Sequence, residues 1–306
     1  MRSRYDAAQT TSEMRKHWAE ADALSARSAN SPDVREKIRN RARYEVANNS
    51  YASGIVATLA HDLVGTGPRL QLLTGDAAVN RKTEAAFAVW AVAVDLAGKL
   101  RVMRRARAVD GEVFALLGQN PVLVTPVKLD IRLYESEQIA DQQTAYPDTS
   151  LDDGVEIDSF GKPTAYHLLK THPGDSLAYA GYGQTERIPA SKMIHWFRSD
   201  RPQQYRGVSE LTPALGLFAQ LRRYTLAVLA AAETAADFAA VLYSELPPDG
   251  ESADADPFDS VEISRRMMTT LPAGWKMGQF KAEQPATSYE MFKRELLNEI
   301  ARCLNM

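Results

Sequence analysis

The stretch Gly207–Tyr243 constrains the fold most, because its residues predict one long helix that runs into a strand. Thr212 is suited to cap the helix N-terminus, and Pro213 fits the first turn, where its missing N–H would have no intrahelical partner anyway. Apolar residues then recur at near-helical spacing, namely Leu215, Phe218, Leu221, Leu229 and Ala232. We therefore expect a helix with a well-marked start.

Alanine dominates the second half of this helix, and between Ala227 and Ala240 only Glu233, Thr234 and Asp237 are polar. At roughly 25 cal/mol per Å², such a surface gains little by burial within one chain. It would, however, let neighbouring helices approach closely. Two interpretations stay open: an ordinary buried domain helix, or a helix that packs against its counterparts in other copies. The candidate interface residues are Ala227, Ala231 and Ala235.

Composition limits the class of protein. The chain has 306 residues, enough for roughly two domains, and its 45% hydrophobic and 25% charged residues are typical of a globular protein. A net charge of −3 argues against a general polyanion binder. One cysteine, Cys303, excludes an intramolecular disulfide. No apolar run is long enough for a membrane span or a signal peptide, so we expect neither membrane association nor standard secretion.

The N-terminal part predicts helices. Residues Met1–Ser31 read as an extended arm with a little helix, and a further helix opens at Pro32. Its apolar residues Val34, Ile38, Ala42 and Val46 predict the buried face, while Arg35, Lys37, Arg39, Arg41 and Arg43 predict a basic outer surface. A second helix spans Tyr51–Val64 and is followed by a short strand-like segment, Arg69–Leu73.

Residues Asn80–Ala108 predict a helix in two pieces around Gly98. The second piece carries the densest basic cluster of the chain: Lys99, Arg101, Arg104, Arg105 and Arg107. The cluster could contact DNA or an acidic partner. A solvated face or inter-subunit ion pairing is favoured, since no aromatic side chain is interleaved for base stacking.

The region from about residue 110 to 200 is mainly β-structure. Strands are predicted at Glu112–Leu117 and Val122–Leu133, and a hairpin turns at 158–161. The segments Ile188–Ala190 and Met193–Phe197 add another strand. Together with the helices, these strands predict an α+β fold.

The amino-acid composition changes in the C-terminal part of the chain. Residues 245–262 are acidic and rich in proline, which predicts an exposed insertion. A turn before Trp275 is expected to deliver Trp275 and Phe280 to a small apolar cluster. Thr287 and Glu290 form a capping box for a last helix, whose apolar residues recur every four positions. Because no glycine or proline closes that helix before Met306, we expect a chain truncated within it, with a natural end that frays in solvent as the alternative.

The sequence shows no sign of catalysis. The five histidines form no i, i+4 pair, and Asp254 and Asp256 begin a calcium-like loop that lacks the required glycine and is blocked by Pro257. No nucleophile elbow is present, and Cys303 lies on the apolar stripe of its helix. We therefore predict no catalytic, cofactor-binding or metal-binding residues, and no cofactor.

The order of short motifs along the chain is itself distinctive. The sequence resembles the portal proteins of lambda-like tailed bacteriophages over nearly its whole length. The residues that carry the resemblance are Tyr5–Ala8, Asn48–Ala52, Val64–Gly67, Trp90 with Asp95 and Gly98, Asp110–Phe114, Gly154–Asp158 with Gly161, Ala165–His167, His172–Asp175, Arg187–Ala190, Arg201–Val208 and Leu211–Pro213.

The resemblance implies a portal fold and a structural role without enzymatic activity. It implies a ring of identical subunits, typically twelve, at one capsid vertex of the virion or prophage-encoded particle, through which double-stranded DNA passes without sequence recognition. The implied partners are the terminase, head-completion and tail connector proteins, capsid and scaffold, and assembly would take place in the host cytoplasm. Residues 1–30 would be an arm, 31–206 the wing, 207–239 a stem helix, 240–286 the clip and 287–306 the start of a returning stem helix. The family's tunnel loop and crown would be missing.

A DNA conduit should not hold the phosphate backbone tightly, because phosphate contacts make binding strong at low salt. We therefore expect acidic groups on the lumen or the tail side, and the candidates for these channel or partner-facing positions are Glu233, Asp237, Asp254 and Asp256. The alternative function is a metal-dependent nucleic-acid-processing enzyme, which would need clustered carboxylates around a metal.

Overall fold

A computed structural model describes residues 15–140, 151–175, 185–237, 241–244, 275–278 and 288–306. The chain forms two compact units, Met1–Thr212 and Pro213–Met306, and each is described by itself. Within the described residues, helices and sheets are mixed, as the predicted α+β class requires. None of the described helices has the length and apolarity needed to cross a bilayer.

The first unit opens with helices. Their bounds are α1 Ala26–Ala29, α2 Pro32–Asn48, α3 Ser50–Val64, α4 Ala77–Ala93 and α5 Leu96–Val109. Side chains at the helix starts satisfy the free N–H groups: Asn49 caps α3, Asp76 caps α4 and Asp95 caps α5. The predicted second helix is thus confirmed to within one residue, and the part of the N-terminal arm that is described contains the expected short helix.

Two antiparallel sheets complete the first unit. The strands are β1 Glu112–Gln119, β2 Leu129–Tyr134, β3 Leu151–Asp152, β4 Val155–Ile157, β5 Pro163–Leu169, β6 Thr185–Pro189 and β7 Met193–Phe197. One sheet has the order β2-β1-β7, and the other has the order β3-β4-β5-β6. The hairpin predicted at 158–161 is confirmed between β4 and β5.

The apolar core of the first unit lies on β1 and its neighbours. Phe114 packs with Tyr166 and Ile188 in one cluster of buried side chains, whereas Val113 packs with Met103 of α5 in another. Successive residues of β1 therefore point to opposite sides, and both sides are covered. Strand β1 is the element around which the first unit is built.

The second unit contains two helices and a two-stranded sheet. Helix α6 spans Leu215–Asp237, β8 Val241–Ser244 pairs with β9 Trp275–Gly278, and α7 spans Ser288–Cys303. The two helices meet where Tyr224 of α6 contacts Tyr289 and Phe292 of α7. Buried side chains follow helical spacing on α7, at Leu296 and Ile300, as its sequence predicts.

The long helix starts later than its sequence suggests. Residues 207–211 are not helical, a 3₁₀ turn covers Thr212–Ala214, and the α-helix begins at Leu215. The expected strand after the helix is confirmed as β8. The delay has a physical cause, because Ser209 holds the backbone in a turn by accepting from Leu211 N–H while its own hydroxyl donates to the carbonyl of Ala108.

The predicted faces of α2 are confirmed only in part: Ala42 is buried and Lys37 and Arg41 are exposed as expected, but two arginines are not. Arg35 and Arg39 are buried and Val34 is exposed, so part of the arginine stripe faces the interior instead of solvent. The arginine stripe and the apolar stripe have the same period of four and differ by one position. Periodicity alone cannot decide which of two such stripes is buried, and the charged partners of the arginines decide it here.

Three further element predictions need correction. The helix break lies at Asp95, which adopts a left-handed backbone conformation and caps Gly98 N–H, so Gly98 itself is inside α5. Residues 69–73 pair with no described strand. Strand β2 starts only at Leu129, because the prolines of the segment 121–128 cannot donate to a strand ladder.

The segments predicted as one strand after residue 187 belong to two sheets. Strand β6 pairs with β5, whereas β7 pairs with β1, and a 3₁₀ turn at Ala190–Lys192 connects them. This crossing ties the two sheets of the first unit together. The acidic insertion at 245–262, Phe280 and the capping residue Thr287 lie outside the described residues, so those predictions stay open.

Two glycines allow a close backbone approach in the first unit. A Cβ atom added to Gly207 would overlap the carbonyl group of Gly111, and one added to Gly111, where φ is +92°, would lie 2.6 Å from Ser209 N. The two glycines therefore let the chain at 207 lie directly on the turn that begins β1.

We expect Gly207→Ala to lower the free energy of unfolding by more than about 3 kcal/mol, because backbone atoms must move to make room for the methyl group. The matched control is Gly54→Ala, since Gly54 lies exposed in α3 with open space around its Cα. This change should stabilise the protein by about 1 kcal/mol. Urea unfolding at one protein concentration measures both, and equal effects of the two substitutions would contradict the close approach.

Candidate functional site

The most buried polar feature of the first unit is an ion pair between Arg206 and Glu112 of β1. Both side chains are almost completely buried, at 2% and 0% exposure. The guanidinium donates from Nη2 to Glu112 Oε1 at 2.7 Å and from Nε to both carboxylate oxygens at 3.0 and 3.1 Å. Glu112 also accepts from Gly207 N–H at 2.8 Å and from the Ser136 hydroxyl at 2.5 Å. The carboxylate is therefore fully satisfied.

His195 of β7 completes the surroundings of Glu112. Its Nε2 lies 3.0 Å from Glu112 Oε2, and because a carboxylate only accepts hydrogen bonds, Nε2 carries the proton. The imidazole ring stacks between Phe114 and Phe197, with centroid distances of 4.2 and 4.4 Å. Burial lowers the pKa of His195, against the opposing effect of Glu112. A neutral histidine thus donates to an ionised glutamate.

The network extends from Arg206 to α2. Arg206 Nη1 reaches Asp153 Oδ2 at 2.9 Å, and Arg35 pairs with the same carboxylate. Asp153 follows the short strand β3 and has a left-handed backbone conformation with φ of 45°. The ion pairs therefore join α2, β1 and the β3–β4 turn in one buried cluster. We call the set Arg35, Glu112, Asp153, His195 and Arg206 the buried ionic cluster.

The charges of the cluster shift pKa values in opposite directions. Burial alone would raise the pKa of Glu112, but the charge of Arg206 and the hydrogen bond from His195 outweigh it and hold that pKa well below its ordinary value of 4.5. Burial opposes the charged form of Arg206 too, yet Glu112 and Asp153 raise its pKa. Burial lowers the pKa of Arg35. The arrangement keeps Glu112 and Arg206 ionised, as a structural ion pair requires.

A second group of charges surrounds Arg43 of α2. Its guanidinium donates to Asp110 at 2.7 Å, Glu137 at 2.8 Å and Glu135 at 2.9 Å. Glu135 and Glu137 also lie with His172 at distances that a metal ion could bridge. The carboxylates of this group already neutralise a resident cation, however, and His172 Nδ1 accepts from Gly174 N–H. A neutral imidazole with an accepting Nδ1 has its proton on Nε2, so Nε2 cannot bind metal as well.

The basic cluster of α5 is largely paired within the chain. Lys99 binds Asp130 at 2.6 Å, and Arg104 and Arg107 both bind Glu210 at 2.9 Å. Arg101 donates to the carbonyl of Gly65. These four residues were expected to lie on a solvated face or to form inter-subunit ion pairs, and they instead bind partners in their own chain. The fifth residue of the cluster, Arg105, is exposed.

The predicted interface residues lie on α6. Ala227 and Ala231 are exposed in the single chain, as is Glu233. Ala235 and Asp237 belong to the same helix, but their side chains lie outside the described residues, and so do Asp254 and Asp256. The structure thus brings Ala227, Ala231 and Glu233 to the surface of one helix.

Sequence reasoning missed the buried ionic cluster. Glu112 and Arg206 are 94 positions apart, and each occurs beside a glycine in an otherwise ordinary turn sequence. The adjacent pairs Gly111-Glu112 and Arg206-Gly207 were the available signal, because a glycine beside a charged residue is compatible with close backbone contact around a buried ion pair.

We expect Arg206→Met to lower the free energy of unfolding by about 3–5 kcal/mol, because Glu112 would remain buried without its ionic partner. Arg187→Met is the matched control, since Arg187 pairs with Glu156 on the surface and should change stability little. Denaturant unfolding distinguishes the two. A similar small effect of both variants would show that the buried pair is not needed.

The ion pair should also give a characteristic pH dependence. Because the folded-state pKa of Glu112 is depressed, its ionisation stabilises the native state above the unfolded pKa of about 4.3, and this contribution is lost as pH falls through the folded value. Burial raises the pKa of Asp110 and Asp152, so the ionisation of these two carboxyls destabilises the native state. Both carboxyls are present in wild type and variant, so their contribution cancels in a comparison of the two.

We therefore expect the difference in unfolding free energy between wild type and Glu112→Gln to be largest near pH 7 and to shrink below about pH 4. Urea unfolding at pH 7, 5 and 3 measures this difference. Glu186→Gln, at an exposed position on β6, should give a small difference at every pH. A difference for Glu112→Gln that does not change with pH would exclude an ionised Glu112.

Comparison with known proteins places the chain among phage proteins. A family model described as phage portal protein, lambda family, matches residues 11–306. A probable portal protein of Halomonas phage phiHAP-1 is 30% identical over 154 residues, which cover 48% of this chain and 30% of that protein. The chain therefore spans less than a third of the length of this curated relative.

Solved structures show the same fold at low sequence identity. A chain in the virion of a native gene transfer agent particle has a TM-score of 0.50 and 13% identity, with 86% of this chain and 66% of that chain covered. A chain in the neck of an empty gene transfer agent particle, computed with C6 symmetry, has a TM-score of 0.51 and 14% identity, with 85% and 66% covered. Since the family model covers nearly the whole sequence, the chain belongs to the lambda family of phage portal proteins.

Proposed function

We propose that the chain is a structural subunit of a portal ring, set at one vertex of a phage capsid, through which double-stranded DNA is packaged and ejected. The match of the lambda-family portal model to residues 11–306 carries this proposal. The protein serves as a conduit for DNA and as a docking platform, and it catalyses no reaction itself.

The fold supports assembly into a ring. One structure with this fold comes from the neck of a particle computed with C6 symmetry. A ring forms when one surface of a subunit binds a different surface of the next copy and the rotation closes. Helix α6 offers exposed apolar residues for such a contact, among them Ala227 and Ala231.

Each region of the chain corresponds to one part of the proposed portal subunit. Residues 1–30 form the arm, 31–206 the wing, 207–239 the stem, 240–286 the clip and 287–306 the start of a returning stem helix. Two observations support this division: the first compact unit ends at Thr212, close to the start of the stem, and the described part of the clip is a separate two-stranded sheet.

Electrostatics favour passage of DNA over retention. The chain carries a net charge of −3, and Glu233 is exposed on the stem helix. Asp237 and the acidic residues Asp254 and Asp256 would add negative charge toward the lumen or the tail side. Fewer phosphate contacts mean weaker, less salt-dependent binding, so DNA would move through the ring without being held.

The partners and the location that we propose follow from the portal function. The ring docks the terminase during packaging and the head-completion and tail connector proteins afterwards, and it contacts capsid and scaffold. It assembles in the host cytoplasm and remains in the virion. A metal-dependent nuclease is the alternative, but the carboxylates that cluster among the described residues already bind Arg43.

We expect the purified full chain to form rings with a central hole in negative-stain images, and a light-scattering mass that is a multiple of 33.8 kDa. Incubation of the same sample with plasmid DNA and Mg²⁺ or Mn²⁺ should leave the DNA intact. Monomers that cleave DNA only when metal is present would refute the portal function and support the nuclease.

A further inference from the structure

Helix α6 has two leucines whose exposed side chains would be stabilised by burial against a partner. Leu226 and Leu229 are 58% and 54% exposed, although both sequence spacing and size predict an inward position for Leu229. The buried positions of the helix are Phe218 and Leu221. Large apolar side chains at adjacent exposed positions on a helix indicate a protein contact surface.

The leucines and the alanines lie on different flanks of α6. At about 100° per residue, Leu226 and Leu229 are centred about 110° from Leu221 in one direction, and Ala227 and Ala231 are centred about 100° from it in the other. One flank therefore carries the two leucines, with Arg222 and Glu233 at neighbouring angles, and the other carries a groove above the two alanines, with Gln220 about two turns before Ala227. We call them the leucine flank and the alanine flank.

The proposal below rests on the portal ring proposed above. We propose that the leucine flank of one subunit packs into the alanine flank of the next copy of this chain. Ridges of side chains fit between smaller residues when helix axes approach to about 8–10 Å. Each helix presents one surface of each kind, so every copy can bind two neighbours through unlike faces, as a closed ring requires.

The two flanks also lie at the same height. In a ring with cyclic symmetry all copies share one level, so a ridge on an upright helix can meet only a groove at its own position along the axis. The centre of Leu226 and Leu229 is about 2 Å from the centre of Ala227 and Ala231 along the helix, at a rise of about 1.5 Å per residue. The two surfaces therefore match in register.

The angle between the flanks agrees with a closed ring. Across the exposed side of the helix the two flanks are about 150° apart, so successive contacts turn in the same direction and a row of copies curves towards closure. The sector between the flanks contains Ala219, Arg223 and Ala230, with Ala219 and Arg223 exposed. This sector would face the lumen and bring Arg223 to it, whereas Glu233, at the angle of the leucine flank, would face the neighbouring subunit and not the lumen.

Disulfide trapping tests the contact. In a Cys303→Ser background, the pair Leu229→Cys and Ala231→Cys places one thiol on each flank, about 3 Å apart along the helix axis. After oxidation of assembled particles we expect a ladder of covalent oligomers on a denaturing gel, up to the full ring. The control pair Leu229→Cys and Ala230→Cys joins the leucine flank to the lumen sector at nearly the same height, so it should remain monomeric on the same gel.

The outcomes separate the two proposals. Particles with ring mass by light scattering but no ladder from the first pair, or an equal ladder from the control pair, would refute the flank contact while the portal function stands. A chain that stays monomeric under all assembly conditions would refute both. A ladder from the first pair alone supports both.

A second pair of variants tests the shape of the groove. Ala227→Leu fills the alanine flank, and we expect it to reduce the assembled fraction at least tenfold. Ala219→Leu makes the same change in the lumen sector and should assemble normally. Both positions are exposed in the single chain, so thermal unfolding of the unassembled chain should match wild type. Normal assembly of Ala227→Leu would refute the fit.

Discussion

The ion pair between Arg206 and Glu112 is the interaction on which the first unit depends. A buried charge without its partner costs several kcal/mol, so neither residue can be buried unless the other is in place. Around this pair the fold brings together α2, the start of β1, the β3–β4 turn and β7. Gly111 and Gly207 allow the backbones to touch beside it.

This constraint fixes the place where the chain leaves the first unit. Arg206 is six positions before Thr212, where that unit ends, and Ser209 binds the carbonyl of Ala108 between them. Glu210 binds Arg104 and Arg107 of α5. The segment 206–210 is therefore held at several points before α6 begins.

Sequence patterns predicted most elements but only some of their buried faces. The helices α2, α3, α5 and α6 and the β4–β5 hairpin follow from periodicity, caps and turn residues. The inward arginines of α2 were missed because their stripe has the same period as the apolar stripe beside it. The exposure of Leu229 was missed for a related reason, since helical spacing shows that residues share a face and does not show what covers it.

The sequence by itself determined the α+β class, the long helix with its small-residue surface, and membership of the portal family, because local preferences and motif order are written along the chain. Only the tertiary structure decided which charges are buried, that the basic cluster of α5 is paired within its own chain, and which flank of α6 carries exposed leucines. Those properties depend on partners that are distant in sequence, such as Glu112 and Arg206, and local patterns contain no information about such distances.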